Sequence, residues 1–269
     1  MSDRFRVVSL ASGSSGNAFY AESAEGAILV DAGLPGKRVE ELIRRAGGEP
    51  GRVQAILVTH DHTDHVRGAG ILHRQHGWPL LMTRGTRQRA EKRLGRVSPT
   101  LFPPGAVLRV AGFRVETIPT PHDGAEPVMA VLERGQWRCG VFTDLGHPFP
   151  ALREALGTLD GVFLESNYDR PLLDANPNYP DRLKRRIVSP RGHLENRETG
   201  ALLAACAGER LRRVMLSHLS EQNNRPEIAL VAVRASTGDL FRERGVKIAA
   251  APRHAPSQTM LFGFDAASA

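Results

Sequence analysis

The chain has 269 residues, 41% of them hydrophobic, and a formal charge of +7, so it can bury a substantial core. Its two cysteines, Cys139 and Cys206, exclude a disulfide framework. No apolar run is long enough to span a membrane, and the start, MSDRFRVVSLASGSSGN, lacks a signal-peptide core; a cytoplasmic protein is expected.

In chain order, Phe5 to Leu10 reads as a strand and Ala11 to Asn17 as a tight Gly/Ser turn. Phe19 to Ala21 and Ala27 to Asp31 suit a hairpin. Lys37 to Ala46 reads as an amphipathic helix ended by Gly47 and Gly48. Gln54 to Thr59 is a short apolar run that fits a buried strand, and a histidine-rich segment follows it directly. A helix over Asp64 to His76 stops at Gly77. Pro79 to Thr83 is a strand and Thr86 to Leu94 a basic helix. Strands follow at Val107 to Val110, Phe113 to Ile118, Val128 to Arg134 and Arg138 to Thr143. Phe149 to Leu156 is a helix and Gly161 to Glu165 a strand ending in an acidic residue. Helices are read at Pro180 to Ile187 and Glu195 to Ala207, and a strand at Arg213 to Ser217. A long helix from Pro226 to Arg244 precedes a strand at Val246 to Ala250, and Thr259 to Phe264 suits an edge strand. No Pro-, Gly- and Ser-rich linker divides the chain, so residues 1–269 are read as one domain.

The densest chemical signal is Thr59-His60-Asp61-His62-Thr63-Asp64-His65. Imidazoles and carboxylates together suit Zn²⁺, Mn²⁺ or Fe. In an extended segment His60 and His62 point the same way, whereas Asp64 and His65 begin a helix and aim at a second point. One short segment can therefore serve two metals. A metal needs further ligands, and ligand-type residues recur at or just beyond strand ends: Asp31, His122, Asp144 and His218. An Asp in such a place commonly caps a turn, but the joint occurrence with the His60 cluster favours a shared site.

This ordered set resembles the metallo-β-lactamase superfamily. The resemblance implies an α/β fold, a four-layer αββα sandwich of two mixed β-sheets flanked by helices. It also implies a hydrolase using two divalent metal ions, Zn²⁺ or Mn²⁺, with Fe as a further option. His60, His62 and His122 would hold the first ion and Asp64, His65 and His218 the second. Asp144 would bridge them, and Asp31 would orient a ligand from behind. Asp61 should point away. Within the superfamily the chain is similar to the WalJ/YycJ-type branch of DNA exonucleases. The matching segments are Ser12 to Asn17, Glu165-Ser166-Asn167, Gly192 to Asn196 and His218 to Asn224; Glu195 departs from that pattern, which has Ser there more often.

His193 is open to two readings, a last metal ligand in place of His218 or an outer residue that binds phosphate or donates a proton. Because His218 follows a strongly apolar strand, the ligand is assigned there. His193, Asp64 and Asp31 are then the residues expected to serve catalysis, while Ser14, Ser15, Asn17 and His193 would contact phosphate. The Ser12 to Asn17 loop can offer backbone N–H groups to an anion, or be no more than a strand turn. His73, His76, His147 and His254 are read as surface or packing residues.

Of the 36 basic residues 32 are Arg. Either a GC-rich genome or a phosphate-bearing partner produces this; arginine grips phosphate through two parallel hydrogen bonds. Arg84, Arg87, Arg89, Lys92, Arg93 and Arg96 crowd one helix. Arg182, Lys184, Arg185, Arg186 and Arg191 crowd the segment before His193. Such runs are usually solvated faces, yet nearness to His193 favours contact with a phosphate backbone. The leading expectation is a metal-dependent nuclease, a 5′-to-3′ exonuclease with DNA favoured over RNA as its partner. The alternative is a hydrolase of a small thioester or lactone on the same fold, which leaves the basic clusters without a task.

Overall fold

The computed structural model describes residues 3–264. Fourteen strands among them form two mixed seven-stranded sheets. The first sheet begins with β1 (Phe5–Ala11), β2 (Ala18–Ser23) and β3 (Gly26–Val30), an antiparallel run. It continues in parallel through β4 (Val53–Leu57), β5 (Leu80–Met82) and the short β6 (Thr100–Leu101). The second sheet opens with the antiparallel strands β7 (Val107–Val110), β8 (Phe113–Pro119), β9 (Val128–Arg134) and β10 (Trp137–Phe142). It then runs parallel through β11 (Gly161–Glu165), β12 (Arg213–Ser217) and β13 (Lys247–Ala250). The last strand, β14 (Met260–Phe262), crosses back to pair with β1 at the edge of the first sheet, where an edge strand was expected.

Helices flank both sheets. On one side lie α1 (Gly36–Arg45), α2 (Thr63–Val66), α3 (Ala69–His76) and α4 (Arg84–Leu94). The others are α5 (Pro150–Leu156), α6 (Arg170–Ala175), α7 (Asp181–Ile187), α8 (Asn196–Cys206) and α9 (Pro226–Glu243). Three clusters of buried apolar side chains correspond to the three interfaces of a four-layer sandwich. One joins the first helices to the first sheet, through Leu42, Ile43, Ile56 and Leu72. The second lies between the sheets, where Phe5 stacks on Phe262 (4.5 Å between centroids) and meets Phe113 edge-on (5.3 Å). The third joins the second sheet to α5, α8 and α9, through Leu164, Leu203 and Val233. The αββα expectation is thus met. Among the described residues no helix is long and apolar enough to cross a membrane, and both cysteines are free.

One helix departs from expectation. The segment Asp64 to His76 is not continuous but breaks at Arg67 and Gly68 into α2 and α3. The Gly68 amide donates to the Ala32 carbonyl (2.7 Å), and a Cβ at Gly68 would sit 2.2 Å from the Leu34 carbonyl oxygen. The loop after β3 presses on this turn and overrides the local helical pattern. β6 and α6 lie in segments to which the sequence assigned no element; β6 is only two residues long, and α6 starts on an Asp169 side-chain cap followed by Pro171.

Candidate metal centre and active site

The parallel strands of both sheets deliver their carboxyl ends to one edge of the sandwich, the usual place for a site in sheets of this kind. β3 ends at Asp31, β4 leads into Thr59 and His60, β10 into Asp144, β11 ends at Glu165 and β12 leads into His218. Asp31, Asp144 and His218 have positive φ angles of 64°, 59° and 55°. Non-glycine residues reach this region at a cost of about 1–3 kcal/mol each, which marks positions where the surroundings dictate the backbone.

The structure brings His60, His62, Asp64, His65, His122, Asp144 and His218 into one pocket. The ligand atoms of His60, His62 and His122 lie within 4.8 Å of one another, as do those of Asp64, His65 and His218, and those of His60, His65 and Asp144. Asp144 lies between the two groups: Oδ2 is 3.1 Å from His65 Nε2 and Oδ1 is 3.5 Å from His122 Nε2. His218 Nε2 is 3.4 Å from Asp64 Oδ2.

Behind these atoms, hydrogen bonds fix the rings. Asp31 is wholly buried and its Oδ2 accepts from His65 Nδ1 at 2.7 Å, while Oδ1 accepts from the Thr59 amide at 2.8 Å. His65 Nε2 is therefore the nitrogen left for a ligand. Thr59 Oγ1 lies 3.1 Å from His60 Nδ1, and the Gly192 carbonyl accepts from His122 Nδ1 at 2.9 Å. Asp61 turns out of the cluster; its Oδ1 accepts from the Ala125 amide at 2.7 Å and tethers the loop carrying His122.

Glu165 is the member of this network absent from the sequence-derived site. It is fully buried, and its Oε1 accepts from His193 Nδ1 (2.7 Å) and His218 Nδ1 (3.1 Å). This separates the two histidines. His218 keeps Nε2 beside Asp64, whereas His193, partly exposed, joins neither the His60 group nor the Asp64 group and falls instead with Asp144, Glu165 and His218 in a further cluster of donor atoms. The signal for Glu165 was its position at a strand end, the rule that found Asp31 and Asp144. Asp123 was also missed: its Oδ1 lies 3.2 Å from His62 Nε2, and it is gripped by Arg186 at 2.5 and 3.1 Å.

The Ser12 to Asn17 loop abuts the same cluster. Asn17 faces inward rather than toward solvent: Oδ1 accepts from the Gly13 amide and Nδ2 lies 3.3 Å from Asp64 Oδ2. Ser14 is exposed and Ser15 half-buried. His73, His76 and His147 serve other contacts, with Trp78, Glu40 and Pro190 respectively.

Charges divide this pocket sharply. Burial pushes His60 well below the ordinary imidazole value and His122 down to about 4, so both are neutral. Burial alone would raise Asp144 and Asp64, but the neighbouring His65 and His218 outweigh it and hold both well below the usual carboxylate range. Conversely, burial would lower His65 and His218, yet the carboxylates around them prevail. His65 is raised well above 6.5 and His218 is pushed up to about 10. For Glu165 burial is outweighed by His193 and then His218, which bring it down to about 2.

Does this donor set fit metal ions? Two buried atoms at its centre, His60 Nε2 and Asp144 Oδ2, have no hydrogen-bond partner among the described residues. Buried polar atoms are rarely left so, and both are atoms a cation would satisfy. Histidine and carboxylate donors, with their remaining nitrogens held from behind, are the chemistry of a transition-metal site.

A family model described as the Metallo-beta-lactamase superfamily matches residues 11–193. The chain belongs to this superfamily. Exodeoxyribonuclease WalJ from Streptococcus pneumoniae serotype 2 (strain D39 / NCTC 7466) is 34% identical over 230 residues, 84% of this chain and 85% of its own. Exodeoxyribonuclease YycJ from Bacillus anthracis is 33% identical over 240 residues, 88% of this chain and 89% of its own. The crystal structure of the metallo-beta-lactamase fold protein YhfI from Bacillus subtilis superimposes with a TM-score of 0.71 at 15% identity, covering 97% of this chain and all of that one. The superfamily and branch resemblances read from the motifs are thus borne out, and the clustered His, Asp and Glu donors are those of a dinuclear metallo-beta-lactamase site.

Glu165→Gln tests the network behind the rings. The neutral amide keeps the shape but offers a weaker acceptor to His193 and His218. Affinity for the metal is expected to fall by about 10–100-fold, read by competition with a coloured chelator, while circular dichroism stays that of the parent.

Proposed function

We propose that this superfamily member is a two-metal nuclease that hydrolyses phosphodiester bonds of DNA, releasing nucleotides in the 5′-to-3′ direction. In this reading His60, His62 and His122 would hold one ion and Asp64, His65 and His218 the other, with Asp144 within reach of both groups. Zn²⁺ or Mn²⁺ suits these donors. Bound there, the ions would supply a water nucleophile at neutral pH and offset charge growing on the phosphoryl oxygens.

The chain's own groups do the rest. Asp31 holds His65 in one tautomer. Glu165 engages His193 Nδ1, so that the other nitrogen, Nε2, can pass a proton to the leaving oxygen. Asn17 braces the Gly/Ser loop against Asp64, and the exposed Ser14 on that loop would contact phosphate.

The observation that carries the nucleic-acid reading is the convergence of two basic segments on the loop bearing His122. From α4, Arg89 reaches the Asp123 carbonyl (3.5 Å) and Arg93 the Asp61 carbonyl (3.3 Å). From the α7 side, Arg186 grips the Asp123 carboxylate and Arg191 reaches the His122 carbonyl (3.5 Å). The basic runs thus flank the pocket from both sides instead of covering a remote face. A cationic approach of this kind suits a phosphate backbone, and the two exodeoxyribonuclease relatives support DNA as the polymer.

The test is direct. Protein loaded with Mn²⁺ or Zn²⁺ is offered 5′-labelled DNA, 3′-labelled DNA, RNA and a thioester. Labelled mononucleotide is expected first from the 5′-labelled DNA. Turnover of the thioester alone would overturn the nuclease reading.

A further inference from the structure

Arg253 lies outside every group assigned so far. It sits in the segment that returns from β13 to β14, between the two sheets. That segment is pinned at both ends: the Ala251 amide donates to the Leu216 carbonyl (2.8 Å) and the Ser257 amide to the Ser9 carbonyl (2.8 Å). The side chain is therefore carried on a fixed base, at the same edge of the sandwich as the metal donors.

Its guanidinium makes one hydrogen bond, from Nη2 to the carbonyl of Leu219 (3.0 Å), the residue after His218. Nη1 is buried and, among the described residues, has no hydrogen-bond partner. The same holds for Ser15 Oγ in the Gly/Ser loop. The two groups belong to neighbouring features, because Arg253 packs on that loop at Gly13. A Cβ there would come within 2.5 Å of Arg253 Nη1, and Gly13 has a φ of +149°, so the position needs glycine twice over. Among the described residues Arg253 makes no ion pair. Burial pushes it below its ordinary value, against the weaker pull of the Glu221 carboxylate and of Tyr179.

A half-buried, rigidly based cation with no carboxylate in direct contact is costly, and a phosphate arriving with the ligand offsets that cost. The loop beneath it reaches the metal donors through two links: Asn17 beside Asp64, and Ser12 Oγ, which accepts from the His218 amide at 2.8 Å. We propose that Arg253 and Ser15, both beside Gly13, bind a second phosphate of the substrate strand, next to the one being cleaved. This rests on the nuclease reading and adds a subsite to it. The guanidinium fork takes two phosphate oxygens and the serine hydroxyl donates to a third.

Arg253→Ala, loaded with metal, is compared with the parent on a short DNA oligonucleotide and on bis(4-nitrophenyl) phosphate, which has a single phosphate. On DNA, KM is expected to rise about 10–100-fold, the range for a lost charged hydrogen bond, with kcat within about twofold. The slope of log affinity against log salt should shrink by about one. On the single phosphodiester the variant should equal the parent. Arg253→Lys keeps the charge without the fork, so it should retain the salt slope and show a smaller rise in KM. Ser15→Ala should raise KM on DNA by about tenfold or less. Unchanged KM on DNA would overturn the subsite and leave the nuclease reading intact. An equal loss on both substrates would also overturn it, since it would make Arg253 a structural residue. A parent that cleaves the single phosphodiester but no nucleic acid would overturn the nuclease reading, and the subsite with it.

Discussion

Asp144→Asn is expected to reduce phosphodiester hydrolysis by roughly 10³-fold. Asp144 is the one carboxylate within reach of both histidine groups, 3.1 Å from His65 and 3.5 Å from His122. Its Oδ2 is buried with no hydrogen-bond partner among the described residues. Asparagine keeps the volume but removes the charge, and it places either a second-rate donor oxygen or an N–H where a cation would sit. Two cations held by these neighbouring groups would repel each other, and the negative charge of Asp144 would offset that repulsion. The variant is therefore expected to retain at most one ion per chain. Metal content by plasma mass spectrometry, together with kcat on DNA, checks it. Full metal content with normal turnover would remove Asp144 from the centre.

The second large effect is at His193. His193→Ala should lower kcat on DNA by about 10²–10⁴-fold, the range for loss of a positioned proton donor. Metal content should not change, because His193 belongs to neither the His60 group nor the Asp64 group and its Nδ1 is engaged by Glu165. The leaving group supplies the control. A 4-nitrophenolate leaves readily without protonation, so the same variant should lose less than about tenfold on a 4-nitrophenyl phosphodiester. Equal losses on the two substrates would point to a disturbed site rather than to a missing acid. Glu165 makes the distinction sharp, since it fixes His193 at 2.7 Å through Nδ1 alone.

Much of this site was legible in the sequence because its candidate ligands obey local rules. His60, His62, Asp64 and His65 fall within six positions, and Asp31, Asp144 and His218 each close an apolar strand. The sheets were legible for the same reason, since buried strands read as short apolar runs bounded by turns. What escaped depends on contacts distant in the chain. Glu165 meets its histidines 28 and 53 residues away, and taken alone it reads as the polar end of a strand. Arg253 contacts a carbonyl 34 residues before it and a glycine at the far end of the sequence, with no motif of its own. Asp123 gains its meaning from Arg186, 63 residues on. The break between α2 and α3 arises from the Leu34 carbonyl against Gly68, a tertiary approach that helical periodicity cannot register.

The direction of the pKa shifts gives the metal centre a pH signature. His65 and His218 are raised in the metal-free chain, His218 to about 10. Both carry a proton at pH 7, and both must lose it to bind a cation. Affinity should therefore weaken progressively as pH falls below about 10, because each raised imidazole must give up a proton to the solvent before it can bind. At acid pH the fall continues as the carboxylates, held low by the same histidines, begin to be protonated.

Calorimetric titration of Zn²⁺ into the metal-stripped protein at pH 7, repeated in buffers of different ionisation enthalpy, probes the pocket most directly. The expected result is two ions per chain and the release of about two protons to the buffer. Binding of one ion or none, or heats that do not vary with the buffer, would contradict a paired-cation centre built from these seven side chains.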